Sequence, residues 1–193
     1  MIKNPTEHQK EKTFVYFIRH GDRIHIPGRK DIGLEIPGPG LSNLGVKQAK
    51  LVAKELLKIK DEIDVIYSSS MARAIETAKE ISHLVHKKPI IIPELCEFSK
   101  SLWNKKIYTK KFWQDLKRYN SAKKAFDKIL EKNKGKVIVI VAHGGVINGI
   151  FGKKFGLKFK KINNLDYGNC HITLLRFKGK KLDYVHCFNS KTI

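Results

Sequence analysis

Apolar strand-like runs alternate with amphipathic helical segments along this 193-residue chain, and that alternation predicts an α/β fold. Residues 14–18 and 137–141 are almost wholly apolar and rich in β-branched and aromatic side chains, which is typical of strands buried on both faces of a parallel sheet. Residues 171–177 and 182–187 flank a glycine and have the pattern of a hairpin or edge pair. We therefore expect a three-layer sandwich with a mostly parallel central sheet, helices on both faces and an antiparallel edge strand.

Length and composition indicate one globular domain over residues 1–193, with residues 1–12 as a flexible N-terminal extension. The polar start has no apolar segment typical of a secretory signal, and no apolar run is long enough to cross a bilayer. The three cysteines are widely spaced and form no C-x-x-C pair, so neither a zinc site nor a disulfide framework is indicated. We expect reduced thiols, a cytoplasmic location, no membrane partner and no metal or cofactor.

Charge is the unusual property of the composition. The chain has 39 Lys and Arg against 18 Asp and Glu, a net charge of +21 at neutral pH. Such a field attracts anions, either nucleic acid or small phosphorylated molecules. Because arginine makes most base-specific contacts and six of the 39 cations are arginines, we favour a small phosphorylated substrate and keep nucleic acid as an alternative partner.

Loops, helices and further strands are predicted after the first strand, in the following order along the chain. A loop at residues 24–40, rich in proline and glycine, is either a lid over the strand end or a long surface loop. Ser42 is a suitable N-cap for a helix whose apolar side chains recur at helical spacing up to Leu56. The remaining predicted elements are a strand at 63–67, a helix at 73–85, a brief strand at 90–92, a helix at 110–132 with a break near 119–121, and a short helix from Val146.

Two of the predicted strands end in a histidine followed by a glycine. Arg19-His20-Gly21 follows the first run and Ala142-His143-Gly144 follows the fourth. Ligands of open α/β sheets bind outside the carboxyl ends of the strands, so neighbouring strands would bring both imidazoles to one crevice. An imidazole beside a permanent cation favours the neutral form, which suits a phosphate ligand. Either histidine alone is more often a packed or surface residue, but the matched pair favours a functional interpretation.

A third segment, Ser68-Ser69-Ser70-Met71-Ala72-Arg73, joins a strand end to a helix start. A helix N-terminus presents free N–H groups and partial positive charge, and Arg73 in the first turn can donate two hydrogen bonds to a phosphate. The alternative is a solvated arginine beside a serine-capped helix. A carboxyl group able to protonate a leaving alcohol is also present after the third strand, and spacing alone does not separate Glu94 from Glu97.

Together these segments resemble the histidine phosphatase superfamily, which includes cofactor-dependent phosphoglycerate mutases, fructose-2,6-bisphosphatase and small broad-specificity phosphatases. The likeness extends from about Thr13 to Thr173. The motifs that carry it are Arg19-His20-Gly21-Asp22, Leu41-Ser42-Asn43-Leu44-Gly45 with Gln48-Ala49, the serines at 68–70 with Arg73-Ala74 and Thr77-Ala78, and Ala142-His143-Gly144-Gly145.

The resemblance implies that His20 is the nucleophile and forms a phosphohistidine. It implies catalytic roles at the phosphate for Arg19, Arg73 and His143. The substrate-binding set expected from the resemblance is Arg19, Arg23, Arg73, His143 and Gly144, where Arg23 replaces an asparagine usual in the family.

The small phosphatases of the family place their proton donor in Leu-x-Glu, with a tryptophan six residues later. Leu95-Cys96-Glu97 and Trp103 reproduce that spacing, so the resemblance selects Glu97 over Glu94. The family's Gly-x-Trp-Glu-Gly is replaced by Ser101-Leu102-Trp103-Asn104-Lys105, a change that falls beside the expected substrate pocket.

The function expected from these motifs is a metal-independent phosphomonoesterase that acts through a phosphohistidine. The nearest alternative is a phosphoglycerate mutase-type phosphotransferase of the same fold. An alternative of a different class, a non-catalytic protein that binds polyanions or nucleic acid, rests on the net charge of +21.

Overall fold

The computed structural model describes residues 11–28, 34–99, 109–162 and 165–193. Within them one mixed sheet is built from β1 (Lys12–Arg19), β2 (Ile63–Ser68), β3 (Pro89–Ile91), β4 (Val137–Ala142), β5 (Ile172–Lys178) and β6 (Lys181–Ser190). The helices are α1 (Asn43–Leu57), α2 (Ala72–Val85), α3 (Lys110–Lys132), α4 (Gly144–Lys154) and α5 (Phe159–Ile162), with a 3₁₀ turn at Pro93–Leu95. In the part of the chain so described, no helix is both long and apolar enough to cross a membrane.

The strand order is β3-β2-β4-β1-β5-β6. The first four strands of that order run parallel, β5 runs antiparallel to β1, and β6 runs antiparallel to β5. The predicted α/β sandwich with a mostly parallel sheet is therefore confirmed, and its antiparallel part is the terminal hairpin. Residues 1–10 of the expected N-terminal extension lie outside the described residues, whereas Lys12 already pairs with Lys178.

Helices cover the sheet on both faces because the strands alternate their side chains between two cores. Tyr16 and Ile18 of β1 belong to a cluster with the apolar sides of α1 and α2. Val15 and Phe17 point the other way, into a cluster with α3 and α4. In that second cluster the Phe17 ring lies 5.2 Å from the ring of Phe126 on α3.

Helix α3 is continuous, so the predicted break near residues 119–121 is wrong. Asn120 and Ser121 are weak helix formers, but Tyr119 and Ala122 on either side of them face the core and are buried. Packing of that face outweighs the local propensity. Helix α4 begins at Gly144, two residues before the predicted start, and the four-residue α5 had no sequence prediction.

The strand register determines which loops share an edge of the sheet. In the parallel β1–β4 pair, Arg19 lies opposite Ala142, so the histidines that follow these residues leave the sheet side by side. Ser68, the last residue of β2, pairs with Val141 on the other side of β4. Three chain segments that are far apart in sequence therefore meet at one edge.

Candidate active site

His20 is fixed at the end of β1 by its own backbone. Its N–H donates to the carbonyl of Ala142 at 3.0 Å, and its carbonyl accepts from the side-chain amide of Asn169 at 2.9 Å. A Cβ on the next residue, Gly21, would lie 2.5 Å from the carbonyl oxygen of Gly45, so the glycine allows β1 to turn tightly against α1. The His20 side chain is 4% exposed.

The hydrogen bonds of His20 assign its tautomer. The Arg73 Nε–H donates to His20 Nε2 at 3.0 Å, so Nε2 carries a lone pair. The other ring nitrogen, Nδ1, lies 2.6 Å from the carbonyl oxygen of Gly21 and holds the proton. This is the neutral tautomer in which Nε2 is the nucleophilic atom.

Arg73 links the two histidines. While its Nε donates to His20, its Nη2 lies 3.2 Å from Nδ1 of His143. The residue is in the first turn of α2 and is 2% exposed. Burial lowers the pKa of Arg73 to about 10, which leaves the guanidinium charged at neutral pH.

Ser69 holds the far side of His143. Because Nδ1 of His143 accepts from Arg73, its Nε2 carries the proton and donates to the Ser69 hydroxyl at 2.8 Å. The same hydroxyl oxygen accepts from the backbone N–H of Met71, the N-cap residue of α2. The rings of His20 and His143 stand 5.0 Å apart between centroids.

Burial and the neighbouring cations keep both imidazoles neutral. Burial is the largest cause of the low pKa of His20, followed by the charge of Arg73, and the pKa lies well below the ordinary 6.5. The pKa of His143 is lowered in the same way by burial, by His20 and by Arg73. Both histidines are therefore unprotonated at neutral pH, as a nucleophile on phosphorus must be.

Arg19 brings a second guanidinium to this edge. Its Nη1 donates to the carbonyl of Tyr167, whereas its buried Nε has no hydrogen-bond partner among the described residues. A Cβ added to Gly144, the first residue of α4, would lie 3.7 Å from that Nε. Arg19 therefore stands beside the N-terminus of α4 with a buried donor that an anion could satisfy.

Glu97 overhangs the same edge from the segment after the 3₁₀ turn. Its two carboxylate oxygens accept from the backbone N–H of Gly145 at 3.3 Å and of Phe98 at 3.2 Å. A Cβ on Gly145 would lie 2.5 Å from Oε1, so the absence of a side chain there makes room for the carboxylate. Burial raises the pKa of Glu97, which favours the protonated form needed to donate a proton.

Other candidates lie further out. Glu94 is exposed and lines a groove beside α3. Arg23 directs Nη1 at the carbonyl of Ile24 (3.4 Å), and it acts on the site through its charge, which lowers the pKa of His20. Residues 101–105, where the sequence differs from the family pattern, lie outside the described residues.

Two contacts of the site are not anticipated by the sequence. The sequence predicts Ser69 only as part of a serine-rich helix start, but its hydroxyl binds His143. Tyr167 accepts from Arg19 through its carbonyl and donates its hydroxyl to the carbonyl of Phe17 at 3.1 Å. No motif marks Tyr167, because its contacts arise from the return of the chain between α5 and β5.

The site thus combines a neutral imidazole with a lone pair on Nε2, two guanidinium groups, a second imidazole and a carboxyl group of raised pKa. The cations can neutralise a phosphoryl group in its transition state, and the carboxyl group can protonate a leaving alcohol. This set of groups suits phosphoryl transfer to His20.

This chain matches a known protein family. Residues 15–190 match the model of the histidine phosphatase superfamily (branch 1). The chain is 26% identical over 195 residues to putative phosphoserine phosphatase 2 of Hydrogenobacter thermophilus, and the match covers 89% of this chain and 93% of that protein.

Solved structures show the same fold. The phosphoserine phosphatase of Entamoeba histolytica, in complex with 3-phosphoglyceric acid, superposes with a TM-score of 0.69 at 24% identity over 92% of this chain and 97% of its own. A mycobacterial glucosyl-3-phosphoglycerate phosphatase superposes with a TM-score of 0.72 at 19% identity, over 93% and 99% of the two chains. The match over residues 15–190 shows that this chain belongs to the histidine phosphatase superfamily (branch 1), and with the phosphatases among its relatives it supports a phosphomonoesterase function.

Proposed function

We propose that the chain hydrolyses small phosphate monoesters through a phosphohistidine formed on Nε2 of His20. The observation that carries this proposal is the contact of Arg73 with both His20 Nε2 and His143 Nδ1. One guanidinium thereby marks the position where a phosphoryl group would sit between the nucleophile and the second histidine.

Substrate binding exchanges these contacts. A phosphate oxygen is a stronger acceptor for a guanidinium than a neutral imidazole, because the bond is charge-assisted at both ends. The phosphoryl group therefore draws the donors of Arg73 away from His20, and the Nε2 lone pair becomes free to attack. Arg19 offers its buried Nε to the same group.

The first chemical step forms the bond from His20 Nε2 to phosphorus and breaks the bond from phosphorus to the ester oxygen. Glu97 gives its proton to that oxygen, so the alcohol leaves neutral. The imidazole ring becomes cationic, and the Gly21 carbonyl oxygen, 2.6 Å from Nδ1, stabilises the charge on the N–H. The cationic surroundings stabilise the equatorial oxygens in the transition state.

The second step returns the enzyme to its starting state. Glu97, now ionised, accepts a proton from water, and the oxygen attacks phosphorus as the bond to Nε2 breaks. Inorganic phosphate leaves, His20 is neutral again and Glu97 is protonated for the next cycle.

The substrate we propose is a small metabolite with an alkyl phosphate. Relatives are named for phosphoserine and glucosyl-3-phosphoglycerate, both of which release an aliphatic alcohol. An aliphatic alkoxide is a poor leaving group, and its departure requires a proton donor such as Glu97, whose pKa is raised.

The test is to trap the intermediate. Wild-type enzyme mixed with ³²P-labelled phosphoserine and quenched within milliseconds should carry alkali-stable, acid-labile label on the peptide that contains His20. His20→Ala should take up no label and release no phosphate, while His25→Ala serves as a control five residues along the same segment. Release of phosphate to water without a bisphosphate primer separates the hydrolase from a mutase, and label on any other residue would contradict the proposal.

A further inference from the structure

Most of the excess positive charge lies away from the site described above. One concentration of it is the outer side of α3, where Trp113, Lys117, Lys124, Lys128 and Lys132 follow one another; we call these five residues the lysine face. Trp113 is 61% exposed, although it is the largest apolar side chain on this side of the helix. The opposite side of α3 carries Phe112, Tyr119 and Phe126 into the core.

Two grooves lie beside the lysine face. A groove of about 410 Å³ lies against Trp113, Lys117 and Lys124, and a second one of about 340 Å³ lies between Lys124, Lys128, Lys132 and the edge strand β3. Ser121 and Lys124 line both grooves, so the two grooves are neighbours along α3. From Trp113 to Lys132 the helix rises by about 29 Å.

The lysines of this face have no acidic partner among the described residues, because the acids of α3 are engaged elsewhere. Asp115 accepts from the backbone and hydroxyl of Ser99. Asp127 pairs with Lys154, and Glu131 pairs with Lys180. Among the described residues that line the two grooves, Glu94 is the one acid. Apart from Glu94, the charged side chains along the two grooves are therefore all positive.

We propose that the lysine face binds single-stranded nucleic acid through its backbone, independently of the catalytic site. Lys124, Lys128 and Lys132 are spaced by four residues, so each step rises by about 6 Å along the helix. That distance is comparable with the distance between neighbouring phosphates of an extended strand, and Lys117 lies seven residues before Lys124. Lysine acts as a point charge on phosphate and carries no base preference. Exposed Trp113 at one end provides a ring on which a base stacks. The lysines look dispersed in the sequence, and only the helix brings these four to one side of α3.

Two other occupants fit less well. A membrane-bound helix inserts a broad apolar side into the lipid, whereas the apolar side of α3 is in the protein core and Trp113 stands alone on the outer side. Duplex DNA is read by an element that enters a groove, and α3 packs along its length on the sheet. A flexible single strand can follow the two neighbouring grooves along α3.

The binding experiment uses a fluorescein-labelled twelve-residue oligothymidylate that carries no terminal phosphate, so that it offers no monoester to the catalytic site. Fluorescence anisotropy is recorded with the full chain from 50 to 200 mM KCl. The groove variant is Lys124→Gln/Lys128→Gln/Lys132→Gln. Its matched control is Lys47→Gln/Lys50→Gln/Lys54→Gln, which removes the same charge from the exposed side of α1 and likewise ends in the last turn of its helix.

Wild type and the α1 control should bind with similar affinity, and the groove variant should bind at least about tenfold more weakly, with its salt slope reduced by about 2 for three lost phosphate contacts. Trp113→Ala should weaken binding by about fivefold or more. Millimolar inorganic phosphate should not displace the strand, and His20→Ala should bind it normally, so failure here is separate from failure of the phosphatase proposal. Equal loss in both triple variants, displacement by phosphate, or tighter binding of the lysine face to phosphatidylserine vesicles or polyglutamate would overturn the proposal.

Discussion

Two cationic regions of this protein differ in almost every physical respect. At the candidate active site, Arg73 is buried and its donors are directed at the two histidines. On the lysine face the ammonium groups are in solvent, on flexible side chains without acidic partners among the described residues. Fixed, buried charge acts strongly over short distances, whereas solvated charge acts weakly and is screened by salt.

The contrast explains why we propose different chemistry for the two regions. A buried guanidinium lowers the pKa of a neighbouring imidazole and stays in place during the reaction, so it can stabilise a transition state. Exposed lysines can attract and hold a polyanion but cannot orient a small group. The net charge of +21 therefore does not indicate how the charge in either region acts.

The largest effect that tests this contrast is expected at Arg73. Arg73→Lys keeps the positive charge but cannot donate to two acceptors at once, because an ammonium is a point charge. We expect kcat/KM for phosphoserine to fall by about 10²–10³-fold, as for loss of a transition-state donor. Steady-state kinetics at 150 mM salt measures the loss.

The matched control is Arg118→Lys on the exposed side of α3. It makes the same chemical change in solvent and should leave kcat/KM within about twofold of wild type, since exposed charges contribute little. A comparable loss in both variants would mean that burial does not distinguish the two regions. Circular dichroism melting separates a folding defect of Arg73→Lys from a kinetic one.

Much of the candidate active site is predictable because it depends on local sequence pattern. Strands β1 and β4 are apolar runs, and the polar residues at their ends have a defined direction once the sheet is parallel. His20 and His143 are predicted in this way and Arg73 from the helix start after β2, and the structure brings the three side chains into contact.

The rest depends on packing that no local pattern records. The contact of Ser69 with His143 follows from the β2–β4 register, and the carbonyl of Tyr167 reaches Arg19 only through the path of the chain before β5. The continuity of α3 depends on the burial of Tyr119, which outweighs two weak helix formers. The groove beside α3 also appears only when the helix lies against β3.

The second prediction sharpens the contrast with a pair of acids. Glu97 is held by two backbone N–H groups and has a raised pKa, whereas Glu94, three residues earlier, is exposed. Glu97→Gln should lower kcat on phosphoserine by about 10²-fold, at the lower end of the usual contribution of a general acid. With p-nitrophenyl phosphate, whose leaving group needs no proton, the loss should be far smaller. Glu94→Gln should leave both substrates unaffected.

The pH profile checks the same assignment. A carboxyl group of raised pKa keeps its proton as the pH rises above the ordinary carboxyl range, and loses it only at that raised pKa. The low pKa of His20 keeps the nucleophile neutral as the pH falls below 6.5. Wild-type turnover of phosphoserine should therefore decline on the alkaline side through Glu97, and Glu97→Gln should lack this limb. An alkaline limb that persists in Glu97→Gln would remove Glu97 from the role of acid.

The smallest effect is expected at Ser69. Its buried, uncharged hydroxyl contacts His143 on the side opposite the charged Arg73. Its hydroxyl accepts from His143 Nε2 in the free site, and by rotating it can instead donate, which would move the ring proton to Nδ1, the nitrogen that faces Arg73. A phosphate bound in place of the Arg73 contact needs that donor. Ser69→Ala removes both options, so we expect about a tenfold rise in the inhibition constant of inorganic phosphate, the size expected for one buried hydrogen bond.

Two variants serve as controls for Ser69→Ala. Ser69→Thr keeps the hydroxyl and should retain most of the affinity for phosphate. The Ser70 hydroxyl contacts Cys96 at 3.1 Å, and Ser70→Ala should match wild type. If Ser69→Ala binds phosphate normally, Arg73 alone orients His143, and the Ser69 hydroxyl does not contribute to phosphate binding.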